Sequence, residues 1–389
     1  MVRVGIIGIG NIGTAHALNI SAGKVTGMTL AALCDIKQDR KIYCKKHFSN
    51  VPFFANWQDL IVSGKVDAVI IAVPHKLHSK IAVSALQAGL HTLVEKPVDI
   101  SVTKATELNE AASKTNKVFA IMFNQRTNPL FAKAREIIKS GKLGNIKRSV
   151  WIITNWYRTQ RYYDSGDWRA TWDGEGGGVL INQAPHNLDL WQWLCGMPNS
   201  VTAFFDVGKF HNIEVEDSVT IQATYPNGAV GTFITSTGEC PGTNRLEISG
   251  DLGKLVIENS KLKWWKLNAN EREFCFAKTE PECDLQAQYS EYLPDTPETA
   301  HIGILQNFTN AILYGEELIS PGTDGIYELL ISNAAYLSAW NGNKKISIPF
   351  DSNEFDEKLA QLQKNSKTTH NISIKPEVFD YLSRWKVNW

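Results

Sequence analysis

The sequence predicts an α/β protein with two sheets: an N-terminal doubly wound parallel sheet, then a C-terminal α/β domain on an open, mainly antiparallel sheet. Three observations predict it. Short apolar runs alternate with helical stretches over residues 1–123. A glycine-rich turn sits between the first strand and the first helix. After about Arg126 the rhythm changes, and strand-like runs follow one another with turn residues between them.

The expected strands of the first half are Val2–Ile7, Thr29–Cys34, Val66–Val73, His91–Val94 and Val118–Phe123. They are nearly continuous in apolar and β-branched residues, as strands buried on both faces must be. Helical stretches such as Lys80–Ala88 and Thr103–Lys114 lie between them. Strand–helix alternation implies parallel pairing through right-handed crossovers. A helix at Pro129–Ser140, closed by Gly141, opens the second half. Strands are expected at Ile146–Trp156, Val201–Val207, Ser218–Tyr225, Ala229–Ser236, Arg245–Ser249 and Lys254–Glu258. Turn signals such as Pro226-Asn227-Gly228 and Gly250-Asp251 separate them, the pattern of an antiparallel sheet. Helices should follow at His301–Leu313 and Gly325–Trp340, while the stretch from Asp351 is mixed and charged and fits no pattern. The expected domains are 1–123 and 124–389.

Bulk composition narrows the function classes. The 389 residues are 43% hydrophobic and 10% aromatic, a folding composition with room for two real cores. Lys+Arg and Asp+Glu both total 40, so nothing marks a nucleic acid or an anionic membrane as partner. The 6 cysteines are scattered without a CxxC pair, and no His/Cys/carboxylate set has metal-ligand spacing. No apolar run is long enough for a bilayer, and MVRVGIIGIG lacks the features of a leader. A cytoplasmic, metal-free protein is expected.

GIGNIG supplies the first motif. Gly8 permits a tight turn, Gly10 lets the backbone approach a pyrophosphate, and Gly13 lets the helix pack close to the sheet. The helix begins at Asn11 and Ile12, and its free N–H groups favour an anion. Asp35 ends the second strand, with Ile36 beside it, where a carboxylate can bind ribose hydroxyls. That carboxylate would repel a 2′-phosphate, so NAD is expected over NADP, although Lys37 and Arg40 lie near enough to soften the repulsion. The plain alternative, glycines in an ordinary turn, does not account for the flanking strand, helix and acid.

Two further strand ends carry polar groups. HTLVEKPVDIS closes a strand with Glu95, Lys96 and Pro97, and ligands of doubly wound sheets bind beyond the carboxyl ends of the strands. Lys96 therefore points toward the nicotinamide, and the X-Pro bond there is a candidate for cis. A surface Lys–Glu pair is the competing reading. AVPHKLHSKIA places Val73, Pro74 and His78 at the same edge as cofactor contacts, or leaves His78 as a helix-surface residue.

The second half holds GEGGGVLINQAPHNLDLWQWL. Helical spacing puts Asn182, His186 and Asp189 on one face, and Pro185 should kink or start the helix. Alone, His186 reads as a core histidine bonded to Asp189. Beside a dinucleotide motif and Lys96, it reads as a general base, since imidazole titrates near neutrality. The preceding TNWYRTQRYYDSGDWRATWDGE is aromatic and Arg-rich with little apolar periodicity. Trp168 and Arg169, with Trp156, Tyr157 and Arg158, suit a sugar ring and its hydroxyls. An oligomer interface favours the same residue types.

GIGNIG, AVPHKLH, VEKP and GGGVLINQAPH, in this order, resemble the Gfo/Idh/MocA family of glucose–fructose oxidoreductase and inositol dehydrogenase-like enzymes. The resemblance implies a Rossmann domain, then an α/β domain whose open sheet packs in a homodimer or homotetramer. It implies hydride transfer between a nicotinamide and a sugar or cyclic polyol. The family's lysine falls on Lys96 and its helix histidine on His186. The aspartate common four residues earlier is Asn182 here, and an amide can orient a hydroxyl but cannot take its proton. The expected activity is reversible oxidation of a ring secondary alcohol. His186 is then the base, Lys96 binds the oxygen and relays the proton, and Asn182 fixes the neighbouring hydroxyl. An NAD-retaining glycosidase and a non-catalytic NAD-binding regulator are the alternatives.

Overall fold

The apolar runs of the first half assemble as β1 (Val2–Ile7), β2 (Met28–Cys34), β3 (Phe53–Phe54), β4 (Ala68–Ile71), β5 (His91–Val94) and β6 (Phe119–Ile121). In this computed structural model, which describes residues 1–366 except 167, 280, 283 and 284, all their pairings are parallel. The order is β3-β2-β1-β4-β5-β6, so the winding reverses between β1 and β4. A crevice opens beyond the carboxyl ends of the strands at such a reversal. Helices α1 (Asn11–Ser21), α2 (Gln38–His47), α3 (Trp57–Ile61), α4 (His78–Gln87) and α5 (Val102–Ser113) connect the strands. The two-residue β3 is too short to leave a periodic signal, and the sequence reading omits it.

Asn128 caps α6 (Pro129–Lys139) through its side chain, and Pro129 takes the first turn, where a missing N–H costs nothing. Strand β7 (Ile146–Ile153) stops short of the expected Trp156, because the chain turns irregular at Thr154. Then come α7 (Gln160–Tyr163), α8 (Val179–Asn182) and α9 (Pro185–Cys195). Asn182 and His186 thus sit on two short helices rather than one. Pro185 starts the second of them.

The second sheet continues with β8 (Ser200–Val207), β9 (Glu216–Thr224), β10 (Val230–Ser236), β11 (Asn244–Gly250), β12 (Gly253–Glu258) and β13 (Lys261–Leu267). After α10 (Glu271–Ala277) it adds β14 (Ala287–Tyr292) and, beyond α11 (Ala300–Tyr314) and α12 (Gly325–Trp340), β15 (Ile346–Ser347). Its order is β14-β13-β12-β11-β7-β10-β9-β8-β15, and only β7 and β10 pair in parallel. The sequence reading lacked β13 and β14 because neither carries a clean buried face; β14 is exposed along most of its length. Charged residues from Asp351 fold as α13 (Ser352–Asn365), capped by Asp351. Residues 367–389 and Cys283 lie outside the described residues.

Helix α11 returns to the first sheet. Ile304, Leu305 and Phe308 join the cluster formed by Val2, Val4 and Ile6, and Thr26 N–H donates to Gln306 Oε1 at 2.8 Å. Ile121 N–H also donates to Ser320 O at 3.1 Å. This closure carries His301 toward the end of β5. Among the described residues no helix is long and apolar enough to cross a membrane.

Candidate active site

The glycine loop after β1 has the geometry a dinucleotide needs. Gly8 takes φ +95°, and a Cβ there would lie 2.4 Å from the Ala72 carbonyl oxygen. A Cβ on Gly13 would lie 1.9 Å from the Gly8 carbonyl oxygen, so α1 packs closer than any side chain allows. At Gly10 a Cβ meets nothing within 4 Å. Gly10 also precedes α1 with no side-chain cap, which leaves the first N–H groups, at Asn11 and Ile12, for an anion. Asp35, just after β2, accepts from Ile9 N–H at 2.7 Å and Lys37 N–H at 2.8 Å. Ile36 beside it is 83% exposed, and Arg40 pairs with Asp39. An open backbone approach, an uncapped helix start and a carboxylate at the end of the neighbouring strand fit NAD.

The end of β5 is braced from several sides. The Lys96–Pro97 bond is cis. The ring nitrogens of His78 lie 2.7 Å from the Pro97 and Val73 carbonyl oxygens, which ties the turn after β5 to the turn after β4. His78 is thus inside the wall, 1% exposed, rather than on the helix surface. Glu95 bonds His16 Nε2 at 2.7 Å. Burial raises the Glu95 pKa, but the His16 contact and charge outweigh it and hold the group below the usual range. The His301 ring meets His16 edge-on at 5.8 Å. Lys96 Nζ donates to the Asn182 carbonyl at 2.7 Å and so spans the two halves. Burial lowers the Lys96 pKa, opposed by Glu95, Tyr162 and Glu175.

His186 lies at the start of α9, with Phe123 edge-on at 6.3 Å. Burial first, then the charges of Lys96 and His301, pushes its pKa well below 6.5, so the ring is neutral at pH 7. The bond to Asp189 that a purely structural core histidine would make is absent. Asp189 instead takes Arg126 Nε at 2.9 Å and Nη2 at 2.7 Å, and Gln192 at 3.0 Å. A doubly charged buried pair satisfies that carboxylate better than a neutral imidazole, and His186 Nδ1 has no hydrogen-bond partner among the described residues.

Asn182 Nδ2 donates to Glu175 Oε1 and, at 3.3 Å, to the Tyr162 hydroxyl. Arg169 Nη1 donates to the same hydroxyl at 2.8 Å and Gln183 Nε2 at 3.3 Å. The Arg169 guanidinium stacks 4.5 Å from the Tyr162 ring centre and 4.6 Å from that of Trp168. Arg158 lies over Tyr162 at 4.9 Å and over Trp156 at 5.8 Å. Glu175 Oε2 accepts from Ala170 N–H at 2.7 Å, and burial lifts its pKa to about 7 against the pull of Arg169 and Lys96. On the first-sheet side, His75 Nδ1 is 3.3 Å from the Glu175 carbonyl, and Lys76 Nζ donates to Asp173.

Lys96, Asn182, Trp168 and Arg169 therefore converge, with Trp156 and Arg158 joined through Tyr162, and His186 lies within the field of Lys96. Tyr157 is 48% exposed, and its carbonyl oxygen accepts from Arg158 Nη1 at 3.1 Å while its ring lies outside the cluster's ring contacts. Glu175, Tyr162, His16 and His301 were not singled out from sequence. Glu175 and Tyr162 do fall in the aromatic, Arg-rich segment flagged there. Nothing in the spacing of His16 or His301 relates them to Glu95.

The oxidoreductase family model with an NAD-binding Rossmann fold matches residues 2–123, and the GFO/IDH/MocA C-terminal domain matches residues 131–256. Myo-inositol 2-dehydrogenase of Thermotoga maritima is 24% identical over 341 residues, 86% of this chain and 95% of its own. Levoglucosan dehydrogenase of Pseudarthrobacter phenanthrenivorans is 26% identical over 288 residues, 66% of this chain and 73% of its own. The WlbA dehydrogenase from Bordetella pertussis, solved with NADH and UDP-GlcNAcA, superposes with a TM-score of 0.74 at 25% identity, covering 90% of this chain and 99% of that one. With both family domains matched in sequence order and the glycine loop built for a dinucleotide, the chain belongs to the Gfo/Idh/MocA oxidoreductases and carries their NAD-binding Rossmann fold.

Proposed function

We propose that this protein reversibly oxidises a ring secondary alcohol of a sugar, glycoside, anhydrosugar or inositol as an NAD-dependent dehydrogenase. One observation carries the proposal: a neutral imidazole, His186, lies within the field of Lys96, which ends a strand of the dinucleotide-binding sheet and reaches the Asn182 carbonyl. Bound NAD supplies the hydride acceptor. The chain itself must manage the alcohol proton. His186, uncharged at pH 7, is able to take it. Lys96 donates to the reacting oxygen and stabilises negative charge as the O–H bond breaks. Asn182 orients a neighbouring hydroxyl, while Trp168, Arg169, Trp156, Tyr157 and Arg158 supply ring faces and forked donors for a sugar. Relatives that act on myo-inositol and levoglucosan support a cyclic polyol substrate. Phe204, Val207 and Val230, about half exposed on β8 and β10, support assembly of copies through the second sheet.

The test is incubation with NAD and a panel of inositols, pyranoses, anhydrosugars and glycosides, following NADH and sugar products in parallel. Stoichiometric NADH with one sugar class is expected. Glycoside cleavage without NADH would replace the dehydrogenase by a glycosidase. NAD binding with no reaction across the panel would favour a regulator.

A further inference from the structure

Glu175 is a buried carboxylate that the proposed mechanism leaves unused. It is 2% exposed, and both of its oxygens are occupied by N–H donors from Asn182 and Ala170. The Ala170 donor is held in place at a cost: Ala170 adopts φ +49°, a left-handed conformation that L side chains avoid. Strain of this kind, on the order of 1–3 kcal/mol, persists where surrounding structure enforces it, and it concentrates at functional sites.

The consequence falls on Asn182. Its amide has two N–H bonds, one given to Glu175 and one to Tyr162, while its Oδ1 has no partner among the described residues. An ionised carboxylate only accepts, so it holds the NH2 end of the amide and leaves Oδ1 toward the substrate as an acceptor. A protonated Glu175 can instead donate to Oδ1, which turns the amide end for end and presents NH2. We propose that Glu175 is a positioning residue whose ionisation decides whether Asn182 offers the sugar an acceptor or a donor. This rests on the dehydrogenase reading of the same site.

The groups facing Glu175 come from each neighbouring element. Lys96 at the end of β5 and Arg169 in the loop before Glu175 favour the carboxylate, and burial opposes them more strongly. Tyr162 and Tyr163 on α7 and Tyr336 on α12 are phenols; burial above all raises the pKa of the last two, with Tyr162 and Glu175 adding to it at Tyr163, and Glu216 and then Glu175 at Tyr336. His75, after β4, is held well below 6.5 by burial and stays neutral near pH 7. The resulting pKa of about 7 puts the switch in the working range. His186 titrates well below that, so it does not supply a limb near neutrality.

The test compares wild type, Glu175→Gln, Asn182→Asp and the double variant. In ligand-free protein, infrared difference titration should show protonated carboxyls lost near neutral pH in wild type, and Glu175→Gln should remove one carboxyl's share of that signal while the shares of Glu216 and Glu298, also raised by burial to about 7, remain. In kinetics with myo-inositol, or the panel sugar that reduces NAD fastest, wild-type kcat/KM should fall as pH drops through about 7. Glu175→Gln should lose roughly tenfold in kcat/KM and that acid limb, with NAD affinity and Tm close to wild type. Asn182→Asp sets two carboxylates face to face and should lower both activity and Tm. The double variant exchanges the amide and the carboxylate between the two positions. The amide introduced at position 175 can accept from Ala170 N–H and donate to the carboxylate introduced at position 182, so most of both losses should be recovered. Additive losses, or an acid limb that survives in Glu175→Gln, would overturn the proposal. If no sugar reacts, the dehydrogenase reading fails, and the infrared titration with the Tm cycle still judges Glu175 alone.

Discussion

Gly10, before α1, and Gly13, in its first turn, stand three residues apart, yet alanine at each should fail in a different way. At Gly10 the backbone has φ −75°, which any residue adopts, and a new Cβ meets no protein atom within 4 Å. Replacing glycine there removes freedom from the unfolded chain, worth about 0.4–1 kcal/mol in favour of folding. Gly10→Ala should therefore melt at or slightly above the wild-type Tm. The new methyl stands where a pyrophosphate must approach the backbone, and each charged hydrogen bond lost costs about 1.5–3 kcal/mol. The Kd for NAD should rise roughly 10- to 100-fold per bond lost, at 1.4 kcal/mol per decade. At Gly13 the Cβ would lie 1.9 Å from the Gly8 carbonyl oxygen and 3.0 Å from its carbon, both backbone atoms. Helix α1 must shift, at a cost of about 1–3 kcal/mol or more, so Gly13→Ala should lose several degrees of Tm along with NAD affinity. Calorimetric NAD titration and thermal melts on both variants decide it. Wild-type NAD affinity in Gly10→Ala, or a Tm there as low as in Gly13→Ala, would refute the assignment of the two glycines.

His186→Ala should cut kcat by about 10²–10⁴-fold with NAD affinity unchanged; unaltered turnover would remove it as the base. Arg126→Met should destabilise the fold by about 3–5 kcal/mol, since it leaves Asp189 buried and charged at 1% side-chain exposure, and urea melts measure the loss. Asp35→Ser should raise NADP use relative to NAD by roughly tenfold or more, read from the ratio of kcat/KM values. Stability should depend on pH from both sides. Glu175 and Glu216 are each raised by burial from 4.5 to about 7, so each binds a proton more tightly folded than unfolded. Their stabilisation is present below pH 4.5 and lost as pH rises through about 7, up to about 3 kcal/mol apiece. His75 and His186 are lowered, so stability is lost on the acid side as they are forced to charge below their ordinary 6.5. A Tm that rises steadily from pH 5 to pH 9 would contradict this.

Local chemistry made part of the site legible. The β1–GIGNIG–α1 order follows from neighbouring residues: an apolar strand, glycines that permit close approach, and a helix start without a cap. Lys96 at the end of β5 is equally local, because an apolar run fixes where the strand ends. For His186 the competing reading is a core histidine bonded to Asp189, and that bond does not form. Helical spacing put Asp189 on the same face, yet Arg126, distant by 63 positions, takes that carboxylate. No period in the sequence reports a contact across such a gap.

The sequence by itself determined the two sheets, the dinucleotide loop, the strand-end lysine and the helix histidine. Each is set by interactions within one element, or between an element and the turn beside it. Only the tertiary structure decided the rest. The fold-back of α11 brings His301 to His16 and Glu95, and the close of the loop before α8 sets Glu175 against the amide of Asn182. The His75, Glu175 and Glu216 pKa values belong to this second group too. Burial moves them, and burial is a property of everything packed around a group rather than of the residues beside it in the chain.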